Sequence, residues 1–214
     1  MTTPSTMFTT ISDYRRIAPD LADALFEIRL LVGTGTVSSA PSFELERPLN
    51  RMEALTLVVR LMGLEARANA FSGTNPFSDT PEWGRHIAAF AYSEGITSGI
   101  GGREFAPHRL VTYQEFTAFL LRILGYSETH GDFLFDNTLN KATEVGLYST
   151  HQMNIVSNSA QFLRADTTLS MVNALLTSSK DTNTRLIDVL VVSNVISRGE
   201  ADRFIADVGR VIQF

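Results

Sequence analysis

Apolar positions recur with helical spacing through the middle of the chain. Trp83, Ile87, Phe90 and Ala91 fall at i, i+4, i+7 and i+8, which places them on one helical face. Thr80 followed by Pro81 predicts an N-cap with proline at the first helical position, and Gly95 stands where a C-terminal glycine stop belongs. A second stripe, Phe116, Phe119, Leu120, Ile123 and Leu124, follows a Thr112-x-x-Glu115 capping box and closes at Gly125. The stretch 77–127 therefore reads as helix, glycine-bearing loop, helix. One hairpin of this size cannot bury its own apolar face, so copies are expected.

Copies are present. Phe43-Glu-Leu45, Leu49-Asn-Arg-Met-Glu53 and Leu61-Met-Gly63 answer Phe105-Ala-Pro107, Val111-Thr-Tyr-Gln-Glu115 and Ile123-Leu-Gly125. The offsets 105 − 43, 115 − 53 and 125 − 63 each give 62, so the register of these two copies is firm. Downstream, Gly146-Leu147, Phe162, Asp166 and Leu169-Ser-Met-Val-Asn173 keep the order with looser spacing, since 162 − 105 gives 57 and 169 − 111 gives 58. That alignment sets Tyr113 and then Met171 opposite Arg51.

Elsewhere the pattern predicts a Thr/Ser-rich, loosely held stretch to about residue 12, a helical start over Asp13–Ala18, and a new helix capped by Asp20 after Pro19. Residues 35–48 read as loop, and 65–75 as a short helix or linker. Asn137 is expected to cap a helix over 138–145, and 148–161 to be the longest irregular stretch. Helices are expected from Leu169, over 185–195 (dense enough in apolar residues to be well buried) and after a Ser197-x-x-Glu200 capping box. No run reads as a strand of usual length, so the fold class is all-α.

Composition narrows the function classes. The 214 residues are 44% hydrophobic and 9% aromatic, which argues against disorder. No long uncharged apolar run is present, so no membrane span is expected. A net charge of −5 disfavours nucleic acid as a general partner. Absent cysteine removes disulfides, zinc–thiolate sites and thiol catalysis. His86, His108, His130 and His151 share no metal-ligand spacing, and no hydrolase, zincin or EF-hand string occurs, so neither catalysis nor a metal or other cofactor is expected. The first ten residues lack a basic region followed by an apolar stretch. The chain is therefore read as a mature or excised piece if it is exported.

Arg51 draws the eye because it stands at the start of a helix, where the macrodipole disfavours a cation by up to about 1 kcal/mol. An anion bound by both the guanidinium and unpaired helix N–H groups would explain it. The alternative is a structural pairing of Arg51 with Glu53 or another carboxylate. Asn50, Glu53, Thr112 and Glu115 read as structural capping residues. Gly95, Gly99, Gly101 and Gly102 make a loop that could bring backbone amides close to a ligand, although no phosphate-loop string accompanies them.

The ordered string Phe77-x-Asp79, Trp83, Glu94-Gly-Ile-Thr-x-Gly99, Phe105-x-Pro107, Thr112-x-x-Glu115 and Leu120-Leu-Arg-Ile-Leu-Gly-Tyr126 resembles an S-layer homology repeat. The best-known signature of that family is a T-R-A-E tetrad opening the second helix. The first copy carries the variant Asn50-Arg-Met-Glu53, and the resemblance covers roughly residues 20–194.

The resemblance implies three helix-loop-helix pseudo-repeats around a central three-helix bundle, over 20–70, 71–130 and a degenerate 131–214, after a tail at 1–19. It also implies a non-covalent anchor that binds an acidic, often pyruvylated, secondary cell wall polysaccharide in grooves between repeats. Arg51, Trp83 (by ring stacking), Gly95, Thr97, Ser98 and Gly99 are the ligand-binding residues it suggests. With Tyr113 and Met171 at the arginine position of the other copies, one groove built on Arg51 is expected to be competent. A larger cargo polypeptide in the same chain and a cell-surface location follow from the same resemblance. The competing expectation is a structural or protein–protein interaction module with no sugar site.

Overall fold

The computed structural model describes residues 9–37 and 40–212. Ten α-helices lie among them, with one short hairpin of strands β1 (Gly35–Val37) and β2 (Ala40–Ser42) in the stretch read as loop. The fold is all-α, as the apolar periodicity indicates. Its core is one main cluster running from Tyr14 to Val208, with a small second cluster of Ala18, Leu163 and Ala165.

Three helices with related N-termini form the centre: α2 (Arg51–Leu61), α5 (Tyr113–Ile123) and α8 (Arg164–Leu176). In each, a carboxylate three residues beyond the N-cap accepts the N-cap backbone N–H: Glu53 from Asn50 at 3.0 Å, Glu115 from Thr112 at 3.1 Å and Asp166 from Leu163 at 2.7 Å. At α2 and α8 the next N–H groups, orphaned in an isolated helix, are satisfied by another part of the chain. Arg51 and Met52 donate to the carbonyls of Arg109 and Pro107, at 2.9 and 3.1 Å, and Arg164 and Ala165 donate to those of Arg47 and Leu45, both at 2.9 Å. Helix α5 packs against both α2 and α8. Phe162 fills the junction, its ring centroid 4.6 Å from Tyr113 and 5.1 Å from Phe116.

Outer helices cover this centre. Helix α3 (Glu65–Asn69) follows α2, and α4 (Arg85–Ser93) packs on both of them after a 3-10 turn at Glu82–Gly84. Thr80 does not cap α4; its hydroxyl accepts from Asn75 Nδ2 at 2.6 Å instead. The face of α4 is buried at Ile87, Phe90 and Ala91, whereas Trp83 is 58% exposed because the 3-10 turn rotates it off that face. Helix α6 (Thr138–Glu144) begins as expected, although no side-chain cap bond comes from Asn137.

Other expectations are corrected. Helix α1 (Ile11–Glu27) runs through Pro19, capped by Thr10 and not by Asp20, so the boundary at residue 20 falls inside a helix. Its stripe Tyr14, Ala18, Leu21, Ala22 and Leu25 is buried against α8 and the last helix, and that packing outweighs the bond lost at an exposed proline. The looseness expected to residue 12 lies mostly outside the described residues. The supposedly irregular 148–161 contains α7 (Thr150–Ser157), opened by a Ser149/Gln152 capping box. Helix α8 starts five residues before Leu169. Its N-cap is a leucine, so the familiar cap signature is missing, and Asp166 alone supplies the reciprocal half. Helix α9 (Leu186–Val192) is buried along one side only, at Leu186, Ile187 and Leu190, and Val192 is 78% exposed.

Helix α10 (Arg198–Ile212) follows the predicted Ser197/Glu200 box. Arg29 Nη1 donates to Glu200 Oε1 at 2.8 Å, which joins the end of α1 to α10. Together with the Ser197 N–H, this holds the Glu200 carboxyl at about 2 against an ordinary 4.5. Its stabilising contribution is complete above about pH 4.5 and is lost as pH falls towards 2. Urea midpoints measured across that window are expected to fall more steeply for the parent chain than for Glu200→Gln. Identical slopes would remove this linkage.

Candidate functional site

The N-terminus of α2 meets the loop after α4 at a cleft of about 540 Å³. Its floor is Arg51, buried to 3% exposure. Arg51 Nε donates to the Phe105 carbonyl at 2.9 Å and Nη1 to Glu115 Oε1 at 2.7 Å. The guanidinium also lies 4.9 Å from the Phe105 ring centroid and 5.7 Å from that of Phe119. Burial pulls the Arg51 pKa down, and the Glu115 charge opposes the shift.

The structural pairing considered for Arg51 is therefore present, but with Glu115 of the next core helix and not with Glu53. Glu53 is gripped by Arg47 through both carboxylate oxygens, at 3.1 and 2.8 Å. Burial pushes the Glu53 pKa up, and the Arg47 hydrogen bonds, the Asn50 N–H and the nearby arginine charges together outweigh it, leaving the carboxyl below its ordinary value. The idea of an anion on free N–H groups of α2 is corrected as well. Those groups already donate to Arg109, to Pro107 and, from Glu53, to Asn50 Oδ1 at 2.9 Å.

One wall of the cleft is the loop Thr97, Ser98, Gly99, Ile100 and Gly101. Gly95 ends α4 at φ 71°, with its own N–H on Tyr92 O and the Ile96 N–H on Ala91 O. Gly99 takes φ 77° and donates its N–H to Thr97 Oγ1 at 3.1 Å. Asp79, part of the string that carries the resemblance, clamps the opposite strand of this loop. Its two oxygens accept the N–H groups of Phe105 and Ala106 at 2.9 and 2.8 Å.

The other walls carry charge and apolar surface that the sequence reading missed. Arg122 donates from Nη1 to Ile96 O and from Nε to Glu128 Oε2, both at 3.0 Å. Arg109 donates from both terminal nitrogens to Glu115, through Nη1 at 3.3 Å. Ile100 and Phe135, 49% and 43% exposed, complete the lining. Of the residues picked from sequence, Arg51, Thr97, Ser98 and Gly99 meet here. Trp83 and Gly95 are not among the cleft walls. A signal for the missed arginines existed: Arg47 and Arg109, and likewise Arg60 and Arg122, stand 62 positions apart, the register of the two copies (109 − 47 and 122 − 60).

The second correction concerns the third copy. Arg164, not Met171, matches Arg51. It occupies the first position of α8, is buried, and donates from Nε to the Phe43 carbonyl at 2.7 Å, as Arg51 does to Phe105. Met171 lies two turns further on, fully buried in the core. Asp166 stands at the α8 start as Glu53 and Glu115 do at theirs, so Leu163-Arg-Ala-Asp166 carries the same cap geometry. Tyr113 does stand at the first position of α5, as expected. Burial and the neighbouring Asp166 charge push its phenol pKa up, and Arg15 from α1 grips Asp166 at 2.9 and 2.7 Å.

Residues 76–117 match the family model described as S-layer homology domain, and they contain the Thr97–Gly101 wall, Arg109 and Glu115. The chain belongs to the S-layer homology domain family through this segment. Among similar proteins, a cell surface protein of Thermoanaerobacter kivui is 30% identical over 174 residues, 80% of this chain and 21% of the relative. A middle cell wall protein of Brevibacillus brevis is 28% identical over 130 residues, 59% of this chain and 12% of its own. An endoglucanase of a Bacillus species is 30% identical over 104 residues, 49% of this chain and 10% of its own. The chain thus spans about a fifth or less of the length of these relatives.

The glycine loop makes a direct test. A Cβ on Gly99 would sit 2.5 Å from Glu104 O and from the Phe77 ring, in a left-handed backbone, whereas one on Gly95 meets nothing within 4 Å. Gly99→Ala is expected to cost more than about 2 kcal/mol, and Gly95→Ala about 1 kcal/mol. Equal costs in urea unfolding would contradict the close approach at Gly99.

Proposed function

We propose that the chain is a non-covalent anchoring module that holds a larger polypeptide to a bacterial cell surface by binding an acidic secondary cell wall polysaccharide. The observation that carries this reading is the cleft itself. It joins three guanidinium groups, two carboxylates, loop amides and two exposed apolar side chains at the junction of two helix-loop-helix units.

A local excess of cation suits a carboxylate or pyruvyl-bearing sugar although the whole chain carries −5, so recognition would rest on local geometry and not on bulk attraction. Thr97 and Ser98 supply hydroxyl groups for sugar hydrogen bonds. Phe135 replaces Trp83 as the aromatic surface inside the cleft. The three cap-and-clamp helix starts support an arrangement of three pseudo-repeats, over 20–70, 71–130 and 131–214, around α2, α5 and α8. With Arg164 in place, the second competent groove would lie beside Arg47, Glu53 and Phe43, and the Tyr113 position would be the weak one.

The relatives' names support a surface location. A partial match to an endoglucanase fits a non-catalytic module shared by chains of differing activity. No described helix is long and apolar enough to cross a membrane.

Sedimentation with purified sacculi tests this. The protein is expected to pellet with walls that retain their secondary polymer and to stay in solution after hydrofluoric acid strips it. Solubilised polymer should compete. No pelleting with walls from several host genera would favour the interaction-module alternative, for which the engagement of Arg51 Nε and Nη1 by Phe105 and Glu115 is the supporting observation.

A further inference from the structure

We propose that the guanidinium meeting a ligand anion in this cleft belongs to Arg109, with Arg47 its counterpart at the second helix start, and that Arg51 and Arg164 are positioning residues. The inference rests on the anchoring reading above.

Exposure separates the roles. The Arg51 side chain is 4% exposed and Arg122 13%, whereas Arg109 is 45% exposed. Arg51 spends Nε on a backbone carbonyl and Nη1 on Glu115 beneath two phenylalanine rings, so its orientation is fixed from inside. Arg109 approaches the same carboxylate from the cleft side.

The layout recurs. Arg47 is 38% exposed and holds Glu53, while buried Arg164 points Nε at Phe43 O. Arg47 and Arg109 each stand three residues before an N-cap, Asn50 and Thr112. At the third start that offset is Ala160, and the carboxylate is gripped by Arg15 from α1.

The Arg109 end of its pair is 45% exposed although Glu115 is only 10% exposed, so Arg109 leaves Glu115 at less cost than the 4% exposed Arg51 would. When it turns to a ligand, Glu115 keeps Arg51 at 2.7 Å and no buried carboxylate is stranded. The freed guanidinium offers two parallel donors, which suits a carboxylate better than a single-point acceptor. The pairing thus works as a resting latch whose release arms the cleft.

The test compares Arg109→Gln, Arg47→Gln, the double variant, Arg109→Lys and Arg51→Met with the parent chain. The probe is sacculi retaining their polymer, with thermal melting measured in parallel. Arg109→Gln is expected to raise the half-saturating wall concentration about 10-fold or more. The double variant should abolish pelleting, and Arg109→Lys should rescue part of it. The glutamine variants should melt within about 3 °C of the parent, whereas Arg51→Met should melt well below it. A double variant that pellets like the parent would overturn the assignment. So would a loss of pelleting that tracks a large drop in melting temperature for Arg109→Gln. Failure of the parent chain to pellet sinks the anchoring reading and this inference with it, so the parent arm and the variant arms test different claims.

Discussion

The contact on which the rest depends is the buried bridge from Arg51 to Glu115 and the Phe105 carbonyl. It joins the first residue of one core helix to the capping carboxylate of the next and to the loop before it. The same residue's backbone N–H goes to Arg109 O. One amino acid thus ties the start of α2 to both ends of the segment 105–115. Arg164 repeats the arrangement towards Phe43 and Arg47. A guanidinium so placed is costly to desolvate, and it is tolerated because its bonds run to a carboxylate, a carbonyl and two ring faces.

This bridge also shapes the cleft. Because the first α2 N–H groups and the Nε and Nη1 of Arg51 are engaged internally, no bare helix terminus remains there to take an anion. On the proposed reading the binding chemistry lies further out, at the partly exposed Arg109, the Thr97–Gly101 loop and the apolar pair Ile100 and Phe135 that line the cleft. Asp79 and the tight fit of Gly99 against Glu104 and Phe77 keep that loop in place. That reading divides structure and recognition between neighbouring residues of one charged cluster.

Much of this was legible in the chain. The 62-residue register revealed two copies, their capping boxes and the fold class, because two real caps and two apolar stripes coincide. The family resemblance pointed to Thr97, Ser98 and Gly99, which line the cleft, and the glycine pattern pointed to Gly99 as well. The α8 start was hidden because Leu163 stands where a capping side chain is expected, so Arg164-Ala-Asp166 carries no familiar signature and the apolar run after Leu169 reads as the helix instead. Pro19 misled in the opposite way, since local propensity argued for a break and burial on α8 overrode it. Trp83 left its helical face through a 3-10 turn that periodicity cannot show. Arg109 and Phe135 come from segments distant from Arg51 in sequence, and only the packing of α2 against the next unit brings them together.

A double-mutant cycle between Arg51 and Glu115, read by urea unfolding, tests the central claim most directly. With Arg51→Met and Glu115→Gln, each single change is expected to cost about 3–5 kcal/mol because it strands the buried partner. The double variant should cost clearly less than the sum, with a coupling of about 2 kcal/mol or more. Costs that add to within about 0.5 kcal/mol would contradict the account, since the two side chains would then not be acting as one bridge.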